Sequence, residues 1–351
     1  MRNTAVCAAL VTVGLLGAAP VLAQNVKIIP LGSHAGELCD RDRATIFEDP
    51  TGVRILYDAG HSVTGGDDAR LGNIHVVLLS HAHGDHMGDR RLANPPGTCA
   101  KPETLSAAPH STTAEIAAAK NSAIMMVPDM GVFIGRKVQN ILGKPTGNCA
   151  ASGGAINVPT GAPCLASAHL GGAHVFKAPG ATQGVEVTVV FASHANSVSV
   201  SLLTEPQRTQ LAVDNVNISL GPPAGYVVKF SNGHTVYLTG DSGLHSEMKT
   251  IVQEFHKANL MMINLGPSAI TAHAAAYAAS ELVKPATVIV SHPNEAATSG
   301  GRFAPNSRSA AFANLIKGRA VYPALSGVTM EFDGAAKCVA GCAAAAKPAG
   351  Y

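Results

Sequence analysis

His81-Ala82-His83-Gly84-Asp85-His86 places three imidazoles and one carboxylate within six residues. Neutral imidazole nitrogen and carboxylate oxygen are the donors that zinc and similar divalent ions take. The cluster follows an apolar run at 75–80 that predicts a buried strand, so its donors emerge where a strand turns into a loop. In such a turn His81 and His83 can converge on one cation while Asp85 and His86 turn toward a second. A short cluster cannot complete either position, because each ion needs at least three protein ligands and an open place for water. The chain supplies more donors at the ends of other predicted strands: His194 after 185–193, Asp241 after 235–240 and His292 after 287–291. A solvated histidine-rich loop, the competing reading, leaves those three unexplained.

The elements that must position these residues follow from periodicity and turn chemistry. Short β-like runs at 27–31, 44–48 and 54–58, together with 75–80, predict successive strands of one sheet. The segment 112–121 is Ala-rich and helical, and 131–142 carries Val132, Phe133, Val138, Ile141 and Leu142 near helical spacing. Strand character returns at 185–193. Runs at 226–230 and 235–239 flank Ser231-Asn232-Gly233, a hairpin signal. A helix over 246–258 and strands over 260–265 and 287–291, with a helix over 273–283 between them, close the chain as an alternation of helix and strand. Between 143 and 184 the composition shifts to Gly, Pro, Ala and Thr, which predicts a long surface excursion. Residues 334–351 read as a frayed Ala-rich tail. No linker separates the strand-rich halves, so 24–333 is expected to form a single domain.

Composition bounds the function. The 351 residues are 46% hydrophobic and 14% charged, enough apolar content for a large core. Lys and Arg number 25 against 23 acidic residues, a net charge of +2 that excludes a dedicated nucleic-acid binder and gives no field to gather anionic lipid. Residues 1–23 carry Arg2, an apolar stretch at 5–16 and Val21-Leu22-Ala23, the pattern of a secretory signal peptide cleaved before Gln24. The apolar stretch is shorter than the roughly 20 residues a membrane span needs, so a periplasmic or secreted protein without a membrane anchor is expected. Cys7 leaves with the leader. Cys39, Cys99, Cys149, Cys164, Cys338 and Cys342 remain, and an oxidising compartment makes disulfides their default. Cys149 with Cys164 is the most plausible local pair; Cys338 and Cys342 can join each other or reach back to the body.

His81-x-His83-x-Asp85-His86, Ser193-His194, Gly240-Asp241-Ser242 and Ser291-His292 resemble, in order and approximate spacing, the metallo-β-lactamase-fold hydrolases. Ile55-Leu56-Tyr57-Asp58-Ala59-Gly60 is similar to that family's strand and turn before the metal loop, and the likeness spans roughly 27–333. The resemblance implies an α+β fold, a four-layer αββα sandwich with metals in a cleft at one edge of the two sheets. It implies that His81, His83 and His194 hold one ion, Asp85, His86 and His292 the second, and that Asp241 bridges them. The ions would be Zn2+, with Mn2+ as the alternative. A bridging Asp is similar to the ribonuclease-Z-like, ascorbate-phosphate-lactonase-like and N-acyl-phosphatidylethanolamine-phospholipase-like branches rather than to class B β-lactamases. Asn264-Leu265-Gly266 to His273-Ala274-Ala275 also resembles the element before the last His there, whereas no arm for gripping transfer RNA is found.

These features give an expected function: an exported hydrolase of a small-molecule ester, lactone or phosphodiester that uses a metal-activated water. A β-lactamase, or a non-catalytic metal-binding protein of the same fold, is the alternative. Asp85 and Asp241 would orient the water, and the apolar, weakly charged 92–184 region tilts the choice toward carboxylic esters and lactones. His273 reads either as a general acid or substrate contact in the cleft or as a helix-start residue. Asp58 reads either as a partner that sets an imidazole tautomer or as a turn residue.

Overall fold

A continuous apolar run with parallel neighbours is a strand that a sheet buries on both faces, and the chain forms two sheets around such runs. The computed structural model describes residues 1, 25–94, 99 and 102–342. Nearly all of the predicted leader, and residues 343–351 of the predicted tail, lie outside the described residues.

Among the described residues two sheets of eight strands share one apolar core. The first runs, in spatial order, Cys338–Ala340, Met330–Phe332, Val26–Leu31, Ala44–Glu48, Arg54–Tyr57, Val76–Leu78, Ala123–Met126 and Cys164–Ser167. The second runs Ala320–Pro323, Thr287–Ser291, Leu260–Asn264, Thr235–Leu238, Ala224–Lys229, Val185–Phe191, Ala173–Lys177 and Ile156–Asn157. Helices Thr112–Lys120, Pro128–Leu142, Ala272–Tyr277 and Arg308–Leu315 and the π-helical turns Met248–Phe255 and Ala278–Val283 complete the layers. Their ends carry local signals: Ser111 accepts from the Ala114 amide, Pro128 opens its helix, and Asn121 and Gly143 close theirs in the left-handed region.

Two buried tyrosines join the sheets directly beneath one edge. Tyr226 donates to the Leu79 carbonyl at 2.7 Å, Tyr57 accepts from the Gly240 amide at 3.0 Å, and the rings meet edge to face with centroids 6.5 Å apart. Arg54–Tyr57, Val76–Leu78 and Ala123–Met126 are mutually parallel, as are Thr235–Leu238, Leu260–Asn264 and Thr287–Ser291. Parallel strands deliver their carboxyl ends to one side, which is where open α/β sheets present ligands. Val185–Phe191 pairs antiparallel with Ala224–Lys229 in a register that matches Phe191 with Ala224, so the chain after Phe191 leaves at that same edge.

The predicted surface excursion at 143–184 is corrected: it holds three strands and closes one end of both sheets. Cys164–Ser167 pairs parallel with Ala123–Met126, and Ala173–Lys177 pairs antiparallel with Val185–Phe191. Pairing to an existing sheet stabilises these strands, although their own composition carries little strand character. The frayed tail is likewise corrected over Cys338–Ala340, which pairs antiparallel with Met330–Phe332. Disulfides join Cys39 to Cys99, Cys149 to Cys164 and Cys338 to Cys342, so the local pair expected from sequence is present. No described helix is long and apolar enough to cross a membrane.

Candidate metal centre

Val76–Leu78 ends in Leu79 and Ser80, and the chain then turns through His81 and His83 into the short helix Gly84–Met87, which carries Asp85 and His86. Asp241 follows Thr235–Leu238 through Gly240, whose φ of +58° and close approach to the Ala224 carbonyl exclude a side chain. His292 follows Thr287–Ser291 and adopts a left-handed φ of +45°; Asp58 does so at +41°. Such conformations in residues other than glycine concentrate at functional sites.

All seven residues expected as ligands converge on this edge. Three groups of ligand atoms form, each with all atoms within 4.8 Å of one another: His81, His83 and His194; His81, His86 and Asp241; Asp85, His86 and His292. Asp241 Oδ2 lies 3.2 Å from His86 Nε2, 3.2 Å from His292 Nε2 and 4.0 Å from His194 Nε2. Asn264 donates to the other oxygen, Oδ1, at 2.9 Å and so aims Oδ2 into the cluster. His273 stands exposed in the first turn of Ala272–Tyr277 and joins none of the three groups.

Asp58 resolves to the tautomer-setting role. Its Oδ2 accepts from His86 Nδ1 at 2.8 Å and from the Ser80 hydroxyl at 2.7 Å, and its Oδ1 accepts from the Ser80 amide at 2.9 Å. Because that hydroxyl proton goes to Asp58, the Ser80 oxygen is free to accept from His81 Nδ1, 2.9 Å away. His86 and His81 therefore carry their protons on Nδ1 and present Nε2 lone pairs to the cleft. His86 Nε2 then faces His292 Nε2 at 3.1 Å as well as the Asp241 oxygen, while His81 Nε2 faces His83 Nδ1 at 3.1 Å. His86 and His81 thus turn acceptor nitrogens toward one space that two further imidazoles and the Asp241 carboxylate also face, a donor set that fits divalent metal.

Electrostatics agree. Burial holds His81 well below the ordinary imidazole range and lowers His83, His194 and His292, which keeps these rings neutral and able to ligate. Burial raises Asp241, but His292 and His86 outweigh it and hold the carboxyl well below the usual range. Burial also opposes charge on His86, yet Asp241 and Asp58 on either side of the ring raise it to about 10. Without a cation, then, a proton occupies the place a cation would take. The sequence reading gives no site role to Ser80 or Asn264; Ser80 adjoins His81, and Asn264 enters only as the start of a segment that resembles the family's element before the last His. Nor does it single out Arg43, which is buried against Asp85.

No model of a known protein family matches the chain. A UPF0173 metal-dependent hydrolase of Polynucleobacter asymbioticus is 27% identical over 296 residues, 81% of each chain. One from a Polaromonas species is 33% identical over 150 residues, 42% of this chain and 50% of that one, and one from Methanosarcina barkeri is 22% identical over 268 residues, 76% and 83% of the two chains. Among solved structures, Igni18, a metallo hydrolase of Ignicoccus hospitalis, superposes with a TM-score of 0.52 at 18% identity, over 88% of this chain and 99% of that one. YhfI of Bacillus subtilis, a metallo-β-lactamase-fold protein, gives 0.49 at 14% identity over 88% and 99%. The two facing sheets with helices on their flanks and His/Asp groups at one edge are the metallo-β-lactamase fold.

Proposed function

We propose that the chain is a metal-dependent hydrolase of the metallo-β-lactamase superfamily that holds two divalent ions, Zn2+ or alternatively Mn2+, and opens an ester, lactone or phosphodiester bond in a small-molecule substrate. Asp241 carries this reading. Its Oδ2 lies 3.2 Å from the Nε2 atoms of His86 and His292 and 4.0 Å from that of His194, so this carboxylate would reach an ion held by either donor set. Bound ions of this kind would lower the pKa of a water toward about 7 and polarise the scissile oxygen.

The chain's own residues do the remaining work. Asn264 fixes the rotation of the Asp241 carboxylate, and Asp58 with Ser80 fixes the tautomers of His86 and His81. Asp241 and Asp85 would orient the attacking water by accepting its hydrogens, and the proton released at attack ends on the leaving group. No Ser or Cys nucleophile is required. His273, exposed and outside the three ligand groups, is assigned no proton transfer. The leader read at 1–23 and three disulfides support export to the periplasm or beyond.

Initial rates of the zinc-reconstituted mature chain on a chromogenic lactone or ester, a phosphodiester and a cephalosporin, each with and without chelator, test the reading. A chelator-sensitive rate on one of the first two is expected. Turnover of the cephalosporin alone would make the chain a β-lactamase, and silence on all three with ions bound would move weight to a narrow substrate outside these classes or to a binding protein.

A further inference from the structure

Arg43 enters the metal edge from the loop before Ala44–Glu48, and its side chain is 1% exposed. The path is built for it. Gly60, at φ +54°, lies so close that a Cβ there would stand 2.6 Å from Arg43 Cδ and 2.7 Å from the Asp85 carbonyl. The guanidinium Nε donates to the Arg41 carbonyl at 3.2 Å, Nη2 reaches Asn294 Oδ1 at 3.5 Å, and Nη1 forms an ion pair with Asp85 Oδ2. That oxygen is the one that faces His292 Nε2, 3.6 Å away. Asp42, the adjacent carboxylate, is turned elsewhere and accepts from the Ser33 and Cys39 amides.

The two candidate ion positions differ in charge. One has three neutral imidazoles and a share of Asp241; the other has two imidazoles, a share of Asp241 and the whole charge of Asp85. On ligands alone the second would attract a cation more strongly. A buried guanidinium paired with the same carboxylate oxygen offsets that extra charge and competes with an ion for the oxygen.

Taking the two-ion reading of the site as its basis, we propose that Arg43 is a positioning residue that makes the two ion positions unequal: the His81, His83 and His194 position fills first, and the Asp85, His86 and His292 position is the weaker because Asp85 is shared with Arg43. Arg43 thus sets how many ions the protein carries at a given metal concentration.

Calorimetric titration of the metal-stripped mature chain with Zn2+ alone tests this, with thermal unfolding as a control for folding. The wild type should bind in two steps separated by about tenfold or more. Asp85→Asn should remove the weaker step and leave the tighter one. Arg43→Gln should narrow the separation by about tenfold, and Arg43→Lys, which keeps the charge, should restore most of it. Two equal steps in the wild type, loss of the tighter step in Asp85→Asn, or an Arg43→Gln chain that folds with the separation unchanged or widened would each overturn the proposal. If Arg43→Gln does not fold, the wild-type and Asp85→Asn titrations decide. Binding of no Zn2+ by the wild type would defeat the metal-centre reading itself, an outcome distinct from two equal steps.

Discussion

The strand Thr235–Leu238 has a histidine just before it and Asp241 just after it, and the two ends treat buried imidazole in opposite ways. At the far end His234 lies between Phe332 and Phe230, ring centroids 5.8 and 6.0 Å away, with Nδ1 on Asn259 Oδ1 at 2.9 Å. Burial there lowers its pKa to about 4. At the metal edge His86 is equally buried, yet Asp241 and Asp58 raise it to about 10. Burial alone therefore does not mark a functional histidine. What distinguishes the metal edge is the convergence of carboxylates and imidazole lone pairs on one space, whereas the far end offers one amide and two aromatic faces. A chain with 15 histidines contains both kinds, and composition counts them alike.

Asp241→Ala gives the sharpest break between the ends. It removes the carboxylate that faces both donor groups and should lower chelator-sensitive kcat/KM by about a thousandfold or more, while the far end and the fold persist by circular dichroism. Full rate with full metal content would refute the role of Asp241.

The next effect belongs to pH. His234 resists protonation in the folded state, so the unfolded chain binds more protons between pH 6.5 and 4, and stability falls as the pH drops through that window. The loss should approach about 3 kcal/mol, and His234→Phe should flatten it in urea unfolding curves. His86 in metal-stripped protein has the opposite sign: its raised pKa contributes stability that is present below pH 6.5 and disappears as the pH rises toward 10. A stability profile in which His234→Phe changes nothing between pH 4 and 6.5 would remove this half of the comparison.

Asp58→Asn keeps the shape of the metal edge but replaces a charged acceptor for His86 Nδ1 and Ser80 with an amide. Metal affinity should fall by about 10- to 100-fold in a competition assay with a chromophoric chelator. An unchanged affinity would return Asp58 to a turn residue. The smallest effect is at the far end, where Phe230→Leu strips one face from His234 and should cost about 1 kcal/mol in urea unfolding without altering the chelator-sensitive rate. A change in that rate would show that the two ends are coupled.

Much of the frame is legible in the amino-acid sequence. The runs at 44–48 and 287–291 are strands with those bounds, and 54–58, 185–193 and 260–265 differ from the observed strands by one or two residues at the end. These are continuous β-rich runs whose burial is written in their own composition. Ile156–Asn157, Cys164–Ser167 and Ala173–Lys177 are not legible, because short strands at sheet ends depend on the strand they pair with. The helices Glu205–Asp214 and Arg308–Leu315 also escape a reading by periodicity; the first buries none of its residues and so shows no apolar stripe to read.

The same division holds at the site. The sequence alone determined the donor inventory, because His81, His83, Asp85 and His86 are neighbours through covalent spacing and His194, Asp241 and His292 each end a legible strand. Only the tertiary structure decided that His273 joins none of the ligand groups, that Asp58 and Ser80 set two tautomers, that Asn264 turns Oδ2 of Asp241 into the cluster, and that Arg43 takes one oxygen of Asp85. Those contacts join residues that are mostly tens of positions apart, so they depend on strand order, register and side-chain rotamer. A one-residue slip in register would turn every side chain of a strand to the other face, and local sequence carries no record of which oxygen of a carboxylate points inward.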